Sequence, residues 1–258
     1  MTALALTKRL ALAGLIAAGI LAPALPVRAE DEALPTVHWS FSGAFGTFDQ
    51  AALRRGFQVY KEICSACHSM NLVHYRDLAA LGYSEDEIKA IAASFQITDG
   101  PNDNGDMYDR PGRPSDAFKA PFANEQSARA ANGGALPPDL SLIVKARKGG
   151  ADYVHDLLTG YAEPPAGVTM QSGMNYDKYF PGHQVAMPQP ISDGSVTFAD
   201  GTKATTDEEA IDVANFLAWT SEPELVERHR MGVKAVLFLI VLAGLLYALK
   251  RKVWAGIH

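Results

Sequence analysis

The chain holds little cysteine: two residues in 258, Cys64 and Cys67. A disulfide framework needs several pairs, so none can staple this fold. A structural zinc site draws about four ligands, typically as two ligand pairs, and no second cysteine pair exists to close one. Basic residues are also scarce in the middle of the chain. All 29 acidic residues lie between Glu30 and Glu227, against 14 of the 23 basic ones, so that stretch carries a net −15. Such a charge fits nucleic acid poorly and suits salt-sensitive steering of a basic protein partner. Internal repeats are absent, signs of an extensive sheet are few, and long apolar runs occur only near the two ends.

The first of those runs follows Lys8 and Arg9, spans Leu10 to Ile20, and leads through Pro23 and Pro26 to Val27-Arg28-Ala29. A basic start, a short apolar core and small residues at the end make residues 1–29 a cleavable export signal by pattern. The second run, Met231 to Leu249, is apolar except for Lys234. Its 19 residues, at about 1.5 Å each, match a hydrocarbon core of about 30 Å. Lys234 sits where its stem can snorkel. Lys250-Arg251-Lys252 and Trp254 follow, so the tail 251–258 is expected on the cytoplasmic side. Arg228 and Arg230 on the other flank dilute the charge signal, and the export signal sets the orientation independently. The expected organisation is therefore an exported domain over 30–227, an anchor helix over 228–250 and a short tail, in the inner membrane with the domain on the periplasmic side.

Within the domain, Thr47-Phe48-Asp49-Gln50 reads as a capping box. It opens a helix with Leu53, Gly56, Phe57, Tyr60 and Cys64 at i, i+3/i+4 spacing. Gly56 and Tyr60 share a face on which a second helix can approach closely. Thr206-Asp207-Glu208-Glu209 repeats the cap before a stripe of Ala210, Val213, Ala214 and Leu217, with Phe216 and Trp219 adding bulk. Further helices are expected at 84–93, 140–147 and 151–158. Two segments, Asn102 to Pro114 and Tyr161 to Gly194, read as long irregular loops.

The cysteines stand in Cys64-Ser65-Ala66-Cys67-His68. A thioredoxin-like redox pair would follow a strand, whereas the residues before Cys64 read as helix. A c-type haem needs what is here: two thiols for thioether bonds and an adjacent histidine for the iron. The second axial ligand decides between an open, ligand-binding iron and an electron carrier. Candidates are Met70, Met107, Met170, Met174, Met187, His74, His155 and His183. Met70 is too near His68 to reach the opposite face. Met107 sits in the most polar loop, and His155 on a helix suits a satisfied or solvent-facing histidine. Met187, in Val185-Ala186-Met187-Pro188-Gln189-Pro190, lies in a loop stiffened by prolines. His183 is in the same loop and remains its rival.

These stretches together resemble cytochrome c1, the haem subunit of the cytochrome bc1 complex. The resemblance runs through RRGFQVYKEICSACHSM with VHYRDL, NGGALPPDLSLIVKARKGGADYVHDLLTGYAEPPAGV, YFPGHQVAMPQPI, and VANFLAWTSEPE leading into the apolar span. It covers nearly all of the chain after residue 29. It implies a mainly α, cytochrome c-like haem domain with long loop insertions, plus one C-terminal transmembrane helix. It also implies one heme c held by Cys64 and Cys67, with His68 and Met187 on the iron, Arg147 near a propionate, and Asn132, Pro138 and Tyr153 lining the crevice. The implied partners are cytochrome b, a Rieske iron–sulfur protein, a soluble c-type cytochrome and the lipid membrane, in a dimeric complex. The implied role is electron transfer without substrate chemistry of its own. Some bacterial relatives brace an inserted loop with a further disulfide, which this chain has no cysteines to form.

Overall fold

The structure, a computed structural model, describes residues 35–256. The export signal over 1–29 therefore lies outside the described residues. Helix α1 (Gln50–Glu62) is capped by Asp49, whose carboxylate accepts the amide protons of Ala51 at 2.8 Å and Ala52 at 3.3 Å. The cap falls two residues later than the Thr47 box, because the Thr47 amide is drawn back to the Ser40 carbonyl at 3.0 Å. Helix α6 (Thr206–Ser221) is capped by Thr205, one residue earlier than expected, with Asp207, Glu208 and Glu209 in its first turn. Those carboxylates complement the positive end of the helix dipole.

α1 and α6 pack on each other at Gly56. A Cβ there would lie 2.0 Å from the Asp212 carbonyl oxygen and 2.8 Å from Phe216 Cβ, so only glycine permits this approach. Beside the contact, Arg55 donates to both carboxylate oxygens of Asp212, at 2.6 and 2.8 Å, and also reaches Asp200 and Glu208. Burial pushes the Asp212 carboxyl up, to about 6, while Arg55 draws it down. The bidentate geometry keeps the pair ionic near neutral pH. Phe57, Tyr60, Tyr75, Phe118 and Phe216 then form one aromatic cluster, with centroid separations from 4.9 Å (Tyr75–Phe118) to 5.9 Å (Tyr60–Phe118).

Between these helices run α2 (Glu85–Ala93), α3 (Glu125–Ala131), α4 (Ile143–Ala146) and α5 (Ala151–Thr159). Ser84 and Glu87 form a capping box on α2, within the helix expected over 84–93. α5 packs on α6, and Asp152 on α5 accepts the Val37 amide at 3.1 Å and the Trp39 indole N–H at 2.7 Å. Apart from isolated bridges, strand among the described residues is confined to two short antiparallel ribbons: β1 (Gln96–Asp99) with β2 (Tyr108–Pro111), and β3 (Asn175–Tyr176) with β4 (Gln184–Val185). The helix expected over 140–147 is reduced to the four residues of α4. Leu142 (φ −123°, ψ 18°) and Arg147 (φ −122°, ψ 136°) leave the helical region and cut it at both ends.

The last element, α7 (Leu225–Trp254), is one continuous helix of 30 residues with a mean hydropathy of 2.3 over its apolar stretch and nothing of that stretch buried. At about 1.5 Å per residue it is about 45 Å long, enough to cross a bilayer with its headgroups. Leu225 and Val226, in its first turn, pack against the domain core.

Candidate haem site

The site begins where α1 stops. A short 3₁₀ turn, Cys64–Ala66, follows Ile63, and the His68 amide donates back to the Cys64 carbonyl at 2.9 Å. Both thiols are free; Cys64 is half-buried against the core and Cys67 is exposed. Burial pushes the Cys64 thiol up to about 12, the reverse of what a reactive thiolate requires.

His68 is half-buried, and its Nδ1 lies 2.8 Å from the Pro138 carbonyl oxygen. A carbonyl only accepts, so Nδ1 carries the proton and the Nε2 lone pair is left to bind. Burial lowers the His68 pKa, against the opposing pull of the Pro138 carbonyl and Asp139, which favours the neutral ring that a metal needs. Orienting a ligand histidine through its other nitrogen is the usual outer-shell arrangement.

Asp139, which sequence reasoning passed over, fastens this arrangement. Its carboxylate accepts the Ser69 hydroxyl at 2.8 Å, the Asn71 amide at 2.8 Å and the Ser141 amide at 2.9 Å. Burial raises its pKa, but the bonds from Ser141, Asn71 and Ser69 outweigh it and hold the carboxyl below its ordinary value. The stretch after the second cysteine is thus laced to the Pro137-Pro138-Asp139 segment. Its nearest sequence signal was an acidic residue directly after a Pro-Pro pair.

Met187 lies near His68, half-buried and packed on the hydrophobic core. Its carbonyl accepts the Tyr161 hydroxyl at 3.0 Å and the Asn175 side-chain amide at 3.3 Å. Burial pushes the Tyr161 hydroxyl up, so it stays a donor. The main chain of the loop is therefore held from behind, with the thioether not engaged in those bonds. Tyr161 and Asn175 lie 26 and 12 residues away in sequence, and no local pattern marks them.

The other candidate ligands occupy varied positions. His183, the only described non-glycine residue with positive φ (58°), has Nδ1 3.1 Å from the Asp177 carbonyl and stacks on Tyr176 at 5.7 Å. His155 is held between Asp156 and Asp207, each at 2.9 Å, which makes it the satisfied histidine expected of its helix. Met70 is fully buried in the core and Met107 is exposed.

The softer candidates occupy varied positions. Pro138 acts through its carbonyl, with an exposed ring. Asn132 is the C-cap residue of α3, and its side-chain amide donates to the Ala128 carbonyl at 2.7 Å. Tyr153 is buried on α5. Burial raises the Tyr153 hydroxyl pKa, and the Arg147 guanidinium beside it draws it down. Arg147 itself is exposed. The donor set, two unpaired thiols, a neutral imidazole with Nε2 available and a thioether on a tethered loop, fits a covalently attached haem with two axial ligands.

Comparison with known proteins identifies the family of the chain. The model of the cytochrome C1 family matches residues 39–257. A "Cytochrome c1" of Rhodospirillum rubrum is 48% identical, with 85% of this chain and 86% of that protein covered. A "Cytochrome c1-2, heme protein, mitochondrial" of Solanum tuberosum is 50% identical, with 84% of each chain covered. The "Cytochrome b/c1" of Bradyrhizobium diazoefficiens is 50% identical over 87% of this chain, which spans only 36% of that longer protein. The chain belongs to the cytochrome C1 family.

Proposed function

We propose that this chain is a membrane-anchored c-type cytochrome that passes single electrons from a Rieske iron–sulfur protein to a soluble c-type cytochrome within a bc1 complex. The observation that carries the reading is the His68 ring, fixed by the Pro138 carbonyl with Nε2 free and near a Met187 loop that is tethered through its own carbonyl. Cys64 and Cys67 would anchor the haem as thioethers, and His68 and Met187 would take the two axial positions. When bound, the haem supplies a one-electron couple. With both positions filled by this chain, no substrate reaches the metal. A thioether opposite imidazole raises the potential relative to two imidazoles, as does an apolar crevice, which suits a high-potential donor.

Arg147, exposed beside Tyr153, would meet a propionate with charge-assisted hydrogen bonds. Asn132, Pro138 and Tyr153 would border the crevice. The net −15 over 30–227 favours a basic electron acceptor. α7 would hold the subunit beside cytochrome b, with the haem domain periplasmic, the C-terminus cytoplasmic and the whole complex dimeric.

The test is Met187→Leu in the full chain. The haem should stay attached while its potential falls and the reduced protein begins to bind CO. His183→Ala is the companion variant and should keep a closed sixth position. A Met187→Leu protein with wild-type potential and no CO binding would refute the ligand assignment.

A further inference from the structure

Three phenylalanines lie close together before α1, and they part company. Phe41 and Phe48 turn inward, with ring centroids 5.1 Å apart, and Phe41 stacks on Trp39 at 5.5 Å. Phe45 between them is 81% exposed, more than any other large hydrophobic residue described. The loop that presents it is well tied. The Ser42 amide donates to the Trp39 carbonyl at 3.1 Å, Gly46 to Gly43 at 3.3 Å and Thr47 to Ser40 at 3.0 Å. Gly43 has φ 78°, and a Cβ on Gly46 would fall 2.3 Å from the Phe41 carbonyl. Glycine is thus required at both positions to close the loop.

The loop is also bound to the membrane helix. The Gly46 carbonyl oxygen lies 3.1 Å from His229 Nδ1, on the second turn of α7. His229 precedes Met231, the first residue of the apolar run, by two positions, an axial rise of about 3 Å. The headgroup layer on each side of a hydrocarbon core is roughly 5–7 Å deep. Phe45 is bonded to Gly46, one Cα step of about 3.8 Å away. Its ring is therefore within reach of headgroup depth when the side chain turns toward the apolar run. Arg228 and Arg230 are exposed on the same turns, where lipid phosphates would meet them.

We propose that the Ser42–Gly46 loop is a second membrane contact, in which Phe45 inserts at the headgroup–acyl boundary and, with α7, fixes the tilt of the haem domain over the bilayer. An exposed aromatic on a rigid loop at that depth behaves as the aromatic residues of interfacial belts do. A domain hung from one helix is free to rock, and a second contact beside the root of that helix opposes the rocking. The proposal rests on α7 being the anchor, so the test probes the two separately.

With Cys64 and Cys67 consumed by haem, a cysteine introduced at Ala44, exposed next to Phe45, is the one free thiol of the haem-loaded chain. A nitroxide there is read by its collisions with oxygen, which partitions into lipid, and with a water-soluble nickel chelate. The chain is placed in phosphatidylcholine–phosphatidylglycerol vesicles. Labels at Val241→Cys and Glu85→Cys mark lipid and water respectively. The Ala44→Cys label should collide mainly with oxygen, and adding Phe45→Ser should raise its nickel collisions several-fold. A water-like Ala44→Cys label beside a lipid-like Val241→Cys label overturns the loop contact and leaves the anchor standing. A water-like label at Val241→Cys overturns the anchor itself. A label at Ala44→Cys that is water-like in vesicles, and shielded from both quenchers only in the assembled complex, gives the loop to a protein subunit and overturns the lipid contact. Uptake of label by the chain without an added cysteine would expose unconsumed thiols and refute haem attachment.

Discussion

Replacing Gly56 by alanine tests the contact that delivers the proposed haem-binding turn. The new Cβ would sit 2.0 Å from the Asp212 carbonyl oxygen, 2.6 Å from its carbon and 2.8 Å from Phe216 Cβ. Two of these atoms are backbone, so no rotamer change relieves the clash. α1 and α6 must separate by about 1 Å to restore even a tight contact. Overpacking of this kind costs about 1–3 kcal/mol, and a backbone obstacle places it at the upper end. Alanine returns about 1 kcal/mol through helix propensity, leaving a net loss of about 2 kcal/mol. For a domain of this size that is a fall of roughly 4–8 °C in Tm. Separation would also stretch the Arg55–Asp212 bonds of 2.6 and 2.8 Å, which adds to the loss. Far-UV circular dichroism melting of the haem-loaded, detergent-solubilised chain measures it. Gly232→Ala, on α7 with nothing within 4 Å of its Cβ, should melt as wild type or slightly higher. A Gly56→Ala protein melting within about 1 °C of wild type would show that the close approach does not limit stability.

Asp139→Ala removes the acceptor of three hydrogen bonds and should cost roughly 2–3 kcal/mol. Because those bonds hold the segment that orients His68, the same variant should raise the high-spin fraction of the oxidised haem, whereas a merely structural role would leave the spectrum unchanged. Asp116 accepts two bonds from Arg110, at 2.6 and 2.9 Å, which hold its carboxyl down at about 2. A depressed carboxyl stabilises the fold above its ordinary value of about 4 and loses that contribution as pH falls toward 2. Denaturant titrations of wild type and Asp116→Asn should therefore differ by a constant amount above about pH 5 and converge in acid. Added salt should slow electron transfer from the chain to a basic soluble cytochrome, and a rate independent of ionic strength would count against docking on acidic residues.

What could be read from the chain beforehand was whatever repeats locally or rests on adjacent residues. Cys64, Cys67 and His68 announce themselves by spacing, and Gly56 and Tyr60 share a face because the helix period puts them there. Met187 stood out through its prolines, and neighbouring His183, whose Nδ1 meets the Asp177 carbonyl as that of His68 meets the Pro138 carbonyl, keeps a rival claim. Caps slipped by one or two residues because Ser, Thr and Asp compete for the same amides, and tertiary contacts decide the winner. At Thr47 the winner was the Ser40 carbonyl. The helix over 140–147 is shorter than its pattern because Leu142 and Arg147 take non-helical backbone angles. Asp139, Tyr161 and Asn175 act over 68–70, 26 and 12 residues respectively, and such bonds leave no periodic trace.

Those long-range bonds share a design that bears on function. Both proposed axial ligands are held through main-chain carbonyls, that of Pro138 on the His68 side and that of Met187 itself on the other. The groups in direct contact with these tethers, an imidazole N–H, a tyrosine hydroxyl and a side-chain amide, carry no formal charge. The nearest carboxylate on the His68 side, Asp139, directs its oxygens at Ser69, Asn71 and Ser141. A metal that gains and loses one electron between such ligands changes the local charge without displacing a salt bridge. Pre-set geometry of this kind keeps the reorganisation that accompanies each transfer small. A site built to bind a gas or a peroxide needs the opposite, one axial face left open with polar groups aimed at the incoming molecule. The loop of Met187, the proposed second ligand, has its backbone bonded by Tyr161 and Asn175, which favours an electron relay over a catalyst.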